Sequence, residues 1–339
     1  MARRLTGTML DGPVQALPPG SLTSVDVYIS SHCNRRCTYC FLPADFFSSG
    51  VKMDIEQFAG VVEWSKQQGI TEITLLGGEP SLHRSFADMV RMAHSRGLKV
   101  RVVTNGHKRF RQLIEDRVVD PGHLSRVAVS FDSLDPEIQD SFRGAGAWHD
   151  ATETIKVLQA NGVLFDINVT AVSSVLDGLP ALIDYAEEAG CRRLNIHWPS
   201  SMGIGYTLDA AEIPDQDTWQ ALTRRIAQRA DRGPDFFVEI ERGFLEPDQP
   251  LTNCALVGFS NLQIMPDGRA FRCGLLADQA EMASLVMTDG ELRRIRPYGG
   301  EDKYASEAAA CDSCPVKDGR RACIYDKVSS LVPAQVSFG

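Results

Sequence analysis

Between residues 25 and 239 the chain alternates short strand patterns with amphipathic helical ones, and this rhythm limits the fold more than any other feature. Val25, Val27 and Ile29 sit at alternate positions, as do Leu98, Val100 and Val102, which is the period a strand imposes on its side chains. Residues 73–76, 126–130, 164–172 and 193–197 are further short aliphatic or β-branched runs. The intervening segments repeat every three to four positions: Ile55, Phe58, Ala59 and Val62, then Phe86, Met89, Val90 and Ala93, then Leu179, Leu182, Ile183 and Ala186. Gly69, Gly97, Gly162 and Gly190 each stand where a helix would stop just before a strand. Six strands, each followed by a helix, predict an α/β fold with a parallel sheet, either curled as a partial (β/α)6 TIM-like barrel or laid out as a flat doubly wound sheet. Periodicity does not separate the two.

From residue 245 onward glycines, cysteines and short strands at 261–265 and 270–272 replace the rhythm. This predicts an extension over 1–24, the barrel over 25–240, a small cysteine-bearing domain over 241–325 and a tail over 326–339. A helical stretch near 215–232 links barrel and small domain. The net charge of −9 argues against general nucleic-acid or anionic-membrane binding. No apolar run approaches the ~18 residues that span a bilayer, and Pro13, Pro18, Pro19 and Gly20 follow the basic start where a signal peptide would be apolar. A cytoplasmic protein is expected.

Nine cysteines are many for such a chain. In a reducing compartment clustered cysteines point to metal binding or catalysis and away from disulfides. Cys33, Cys37 and Cys40 follow the first strand; Cys254, Cys273, Cys311, Cys314 and Cys323 stand near the end; Cys191 is alone and reads as structural. Three thiolates on one loop can serve three corners of a [4Fe–4S] cluster and leave the fourth iron open. An open position is where a metal site takes a substrate or cofactor, and the C-terminal end of a barrel strand is where this architecture keeps its chemistry. The alternatives are a zinc site completed by His32, or three incidental thiols.

The run Cys33-Asn34-Arg35-Arg36-Cys37-Thr38-Tyr39-Cys40 resembles the signature of the radical S-adenosylmethionine (radical SAM) superfamily. Gly77-Gly78-Glu79-Pro80 after the second strand resembles the family's GGEP motif, which holds the amino group of SAM. Thr104-Asn105-Gly106 ends the third strand, and Ser130-Phe131-Asp132-Ser133 ends the fourth and resembles the ribose-contacting segment. Phe142-Arg143-Gly144 resembles the element whose arginine pairs with the SAM carboxylate. The resemblance also implies contacts from Tyr39 and Val172. Singly, Gly77-Gly78 reads as a turn, Glu79 as a surface charge and Arg143 as a solvated helix residue; their order at successive strand ends is what argues otherwise. The implied chemistry is reductive cleavage of SAM to a 5′-deoxyadenosyl radical that abstracts a substrate hydrogen, with a flavodoxin- or ferredoxin-type electron donor.

The second group resembles the SPASM/Twitch extension of such enzymes, which carries auxiliary [4Fe–4S] clusters. A full SPASM domain has more cysteines than the five here, so the resemblance implies one auxiliary cluster on Cys254, Cys273, Cys311 and Cys314. Cys323 is left as an alternative ligand, a hydrogen donor or a structural thiol. A four-thiolate zinc ribbon is the alternative for the group. Asn168, Asn195, His197, Trp198, Ser200 and Ser201 leave the later strands toward the same barrel end and are candidate substrate contacts, with His197 able to bond a polar group or move a proton. The acidic balance and the short segment before the first strand favour a small polar substrate such as a sugar, aminocyclitol or nucleoside, to be dehydrogenated or epimerised. A ribosomally made peptide is the second reading, and an iron–sulfur electron carrier or zinc scaffold the third.

Overall fold

The computed structural model describes residues 9–14, 22–228, 235–241, 261–278, 280–296 and 327–329. Its parallel strands are β2 (Ser24–Ser30), β3 (Glu72–Gly77), β4 (Lys99–Thr104), β5 (Leu124–Ser130), β6 (Phe165–Thr170), β7 (Arg193–His197) and β8 (Phe237–Glu241). The helices are α1 (Ala44–Ser48), α2 (Ile55–Gln67), α3 (Phe86–Ser95), α4 (Lys108–Glu115), α5 (Pro136–Arg143), α6 (Ala147–Ala160), α7 (Leu179–Glu188) and α8 (Gln216–Ala227). All six expected strands are present, and β8 adds a seventh.

Strands β2 to β8 lie side by side in chain order, each parallel to the next. A doubly wound sheet needs a point where the order reverses. Here every crossover steps the same way, and right-handed crossovers that all step one way put every helix on one face. The strip is therefore a partial barrel.

The alternation read from the sequence now has a cause. Val25, Val27, Ile73, Leu75, Val100, Val102, Val127, Val129, Ile167, Val169, Leu194, Ile196, Val238 and Ile240 are buried. They share the apolar core with Phe58, Met89, Phe110, Ile155 and Leu182 of the helices. The opposite parity faces the lumen and is polar: Asp166, Asn168 and Thr170 of β6 are the register partners of Arg193, Asn195 and His197 of β7. At the lower rim the buried Asp166 carboxylate meets Arg193 at 3.1 Å and Arg101 and Arg126 at 3.5 Å each. Cys191, buried and donating to the Arg193 carbonyl at 3.1 Å, belongs to this floor, and burial holds its thiol in the protonated form.

Residues near the chain's end extend the same sheet. Strands β9 (Gln263–Ile264), β10 (Arg269–Phe271), β11 (Leu285–Thr288) and β12 (Glu291–Arg296) run from the β2 edge, with β9 parallel to β2 and the others antiparallel to one another. Strand β1 (Met9–Pro13) closes onto β12, and β13 (Lys327–Ser329) pairs with β8. Cys254, Cys311, Cys314 and Cys323 lie outside the described residues. No described helix is long and apolar enough to cross a membrane.

Candidate functional site

The loop after β2 carries Cys33, Cys37 and Cys40 without helix or strand of its own, so its shape depends on what it leans against. The end of β3 passes beneath it: Gly78 N–H donates to the Ser30 carbonyl and Glu79 N–H to that of His32, each at 2.8 Å. A side chain on Gly77 would run into the Ser30 backbone, and one on Gly78 into His32 and Cys33. The double glycine thus lets two backbones touch. On the other side, Thr38 N–H donates to the Phe142 carbonyl at 3.0 Å and Gly205 N–H to that of Cys40 at 2.9 Å. Asn105 reaches across from the end of β4, its Nδ2 at 3.0 Å from Asn34 Oδ1 and 3.7 Å from Cys33 Sγ.

Burial raises all three thiols, Cys33 to about 11 and Cys40 to about 12, and the Cys37 sulfur further disfavours ionisation of both Cys33 and Cys40. Such a trio keeps its protons unless a cationic partner takes their place. Among the described residues no three His, Cys, Asp or Glu side chains converge closely enough to hold a single metal ion, and His32 is exposed. A mononuclear zinc centre draws its thiolates to ~2.3 Å from one point. A cubane instead takes its thiolates on separate irons. The donor set fits the cluster, and Cys33, Cys37 and Cys40 are the thiols that could hold it.

Two buried charge networks surround the loop. Glu79, expected to face the SAM ammonium, is fully buried and already engaged. Its carboxylate accepts from Ser81 Oγ at 2.7 Å, Ser81 N at 3.2 Å, Thr104 Oγ1 at 3.0 Å and Asn105 N at 2.8 Å. It lashes the ends of β3 and β4 together, and burial raises its pKa against those donors. Arg143, expected to pair with the SAM carboxylate, forks onto Asp132, Nε to Oδ2 at 2.6 Å and Nη2 to Oδ1 at 2.8 Å. Asp132 also accepts from the Tyr39 hydroxyl and from Thr170 N–H at 2.8 Å. Arg143 lies 5.3 Å from the Tyr39 ring centre, and Asp132 and the ring's phenol raise its already high pKa. Glu79 is not the surface charge, nor Arg143 the solvated side chain, that each suggests singly. In this structure both hold the walls of the site.

The remaining candidates divide. Asn168 and Asn195 bond to each other at 2.9 Å across β6 and β7, leaving the buried Asn195 Oδ1 without a partner. Ser130 pairs in register with Asn168. Val172 is buried in the core just past β6. Ser200 stands on a loop that returns to the cysteines, where Ile204 N–H reaches the Leu42 carbonyl at 3.2 Å. His197, at the end of β7, has its Nδ1 2.7 Å from Glu241 Oε1. Glu241 is buried at the end of β8 and its other oxygen accepts from Trp198 N–H at 2.9 Å. Sequence reasoning missed Glu241 as it missed β8, although Val238 and Ile240 alternating with Glu239 and Glu241 was the available signal. Cys273 is buried in a second apolar cluster with Tyr28, Leu42 and Met265, against which Cys33 and Cys40 also pack. The first loop and a member of the second cysteine group thus share one side of the barrel.

The family model for the radical SAM superfamily matches residues 27–181. The chain is similar to a PqqA peptide cyclase of Ruegeria pomeroyi, 22% identical over 313 residues that cover 87% of this chain and 81% of the relative. It is similar to the subtilosin biosynthesis protein AlbA of Bacillus subtilis, 22% identical over 85% of this chain and 64% of AlbA. Among solved structures, Streptococcus suis SuiB bound to its precursor peptide SuiA superposes with a TM-score of 0.59 at 16% identity, covering 77% of this chain and 61% of SuiB. The chain thus spans about three fifths of SuiB, and that likeness speaks for the fold.

Proposed function

We propose that this chain, a radical SAM protein by its residues 27–181, modifies a ribosomally made peptide. What carries the reading is the reach of the similarity: the PqqA peptide cyclase aligns along 87% of the chain, through the barrel and into the cysteine-bearing part beyond it. A precursor peptide bound to the structural relative SuiB supports the same substrate class. The expectation of a small sugar, aminocyclitol or nucleoside gives way to the second reading. Strand β1, in the segment before β2, pairs with β12 and serves the sheet.

An iron–sulfur cluster with SAM at its open iron supplies hydrogen-atom abstraction when bound. The chain's own residues do the rest. Cys33, Cys37 and Cys40 hold the cluster, and the glycine pair sets their loop down on β3. Asp132, Arg143 and Tyr39 fix the wall beside it through charge-assisted bonds, which keep their geometry better than neutral ones. Glu241, accepting from two groups, orients His197 toward the substrate end of the lumen, where Asn195 Oδ1 offers an acceptor to an amide N–H. Cys254, Cys273, Cys311 and Cys314 are proposed to hold an auxiliary cluster.

Co-expression with short candidate peptides, followed by anaerobic purification and addition of SAM and dithionite, tests the reading. We expect 5′-deoxyadenosine together with a mass change on one peptide, and about eight irons per chain, as two four-iron clusters require. Turnover of a small polar metabolite with every peptide unchanged would contradict it.

A further inference from the structure

Three of the motifs meet at one carboxylate that no motif contains. Arg35, between the first two cluster cysteines, is buried, although two of its sequence neighbours, Asn34 and Arg36, are exposed. Its Nη1 donates to the carbonyls of Gly144 at 3.0 Å and Ala145 at 3.2 Å, and its Nη2 to Asp150 Oδ2 at 2.6 Å. Gly144 and Ala145 form the turn directly after Arg143. Asp150, in the first turn of α6, receives a second arginine: Arg111 Nη1 lies 3.2 Å from its Oδ1 and also donates to the Gly106 carbonyl at 2.9 Å. Gly106 closes the Thr104-Asn105-Gly106 turn, and a side chain there would sit 2.9 Å from the Asp150 carbonyl oxygen. Asp150 therefore ties the cysteine loop, the turn after β4 and the turn after α5 into one body.

We propose that Arg35 and Asp150 are positioning residues for SAM: they hold the cysteine loop in register with the turns that frame the cofactor, and set SAM affinity without holding iron themselves. The proposal rests on the reading of the three cysteines as a SAM-binding cluster site. The loop has no backbone ladder of its own, only single backbone bonds at His32, Thr38 and Cys40, so side-chain ties add to the register between cluster and cofactor walls. A guanidinium that meets two carbonyls and a carboxylate at once fixes orientation as well as distance, and a lysine ammonium, a point donor, does not reproduce that fork. Removing it frees the loop to shift while the thiols keep their iron.

The test uses the full chain, reconstituted without oxygen. It reads iron content, the electron paramagnetic resonance spectrum of the reduced cluster with and without SAM, and the SAM dependence of the rate at which 5′-deoxyadenosine forms without peptide, resolved into KM and kcat. In Arg35→Ala we expect wild-type iron content, a weakened SAM-induced spectral change, and a KM for SAM raised about tenfold or more with kcat within about twofold. Arg35→Lys should fall between, and Asp150→Asn, which leaves the bonds to Gly144 and Ala145 in place, should raise KM by about threefold or more. An unchanged KM and spectral response in Arg35→Ala overturns the proposal, as does loss of iron in both Arg35→Ala and Asp150→Asn. If Arg35→Ala alone fails to take up iron, Asp150→Asn decides. Wild-type protein that holds iron yet neither binds nor cleaves SAM overturns the cofactor reading and this proposal with it, whereas active wild type beside unchanged variants overturns this proposal alone.

Discussion

At the scale of single residues, burial sets the behaviour of the site's titratable groups. Cys33 and Cys40 are raised to about 11 and about 12, so at pH 8 only about a thousandth or less of either is thiolate, the reactive form. In the cluster-free protein, iodoacetamide should alkylate them far more slowly than an exposed thiol, with the rate climbing steeply toward pH 11; mass-resolved labelling checks this, and rapid labelling at pH 7 would contradict it. Glu79 gives a second prediction. Its folded carboxyl binds a proton more tightly than the unfolded value of 4.5, so the folded state holds the extra proton as pH rises above that value. Stability from this group is present below 4.5 and declines as pH climbs through the folded pKa. Glu79→Gln should lack that decline, and should also cost about 1–3 kcal/mol because an amide nitrogen cannot satisfy the Asn105 N–H it would face if turned that way. Urea titrations of cluster-free protein across pH 4 to about 8 measure both effects. The GGEP match drew attention to Glu79, and the fold adds what a linear motif does not record, that Ser81, Thr104 and Asn105 donate to its two oxygens.

At the scale of elements, strands were legible and their connections less so. The alternation of β2 and β4 announced a sheet with one apolar face, and the structure puts that face under the helices and the polar face in the lumen. What alternation could not tell was the order of strands, which alone separates a barrel from a doubly wound sheet. The floor of the lumen carries a test. Asp166 is buried among Arg101, Arg126 and Arg193, and removing one partner of a buried ionic cluster leaves the others uncompensated, at a cost of about 3–5 kcal/mol. Asp166→Ala should therefore unfold at markedly lower denaturant while its cysteine loop, at the opposite rim, still takes up iron when folded. Gly78→Ala should do the reverse. Its new methyl meets the His32 carbonyl and the Cys33 side chain, so we expect near-wild-type helix content by circular dichroism with most of the iron lost. Equal iron content in Gly78→Ala and wild type would contradict the close approach. Arg35, Arg111 and Asp150 left no trace in the sequence: Arg35 finds Gly144 109 positions away and Asp150 115 positions away, and only the folded chain brings them together.

At the scale of the whole molecule, the sheet is one continuous surface of thirteen strands among the described residues, from β1 to β13. The hairpins that follow the barrel extend it from β2, the strand that launches the cysteine loop, so Cys273 comes to rest in the same apolar cluster as Cys33 and Cys40. The cysteines of the two groups read as separate in the sequence because 213 residues lie between Cys40 and the nearest of the later group, Cys254. Topology shortens that distance for Cys273. The substrate class was the part least legible, since lumen residues such as Asn168, Asn195 and His197 serve a sugar or a peptide amide equally well.

The central claim, that three amino-terminal thiols hold an iron–sulfur cluster with a corner open to SAM, is tested most directly by comparing wild type with the Cys33→Ala/Cys37→Ala/Cys40→Ala protein after anaerobic reconstitution. The account predicts 5′-deoxyadenosine from the wild type with SAM and dithionite, none from the triple variant, and a loss of about four irons between them, one cubane's worth. Wild-type protein that carries zinc in place of iron at this loop, or a triple variant that still forms 5′-deoxyadenosine, would contradict it.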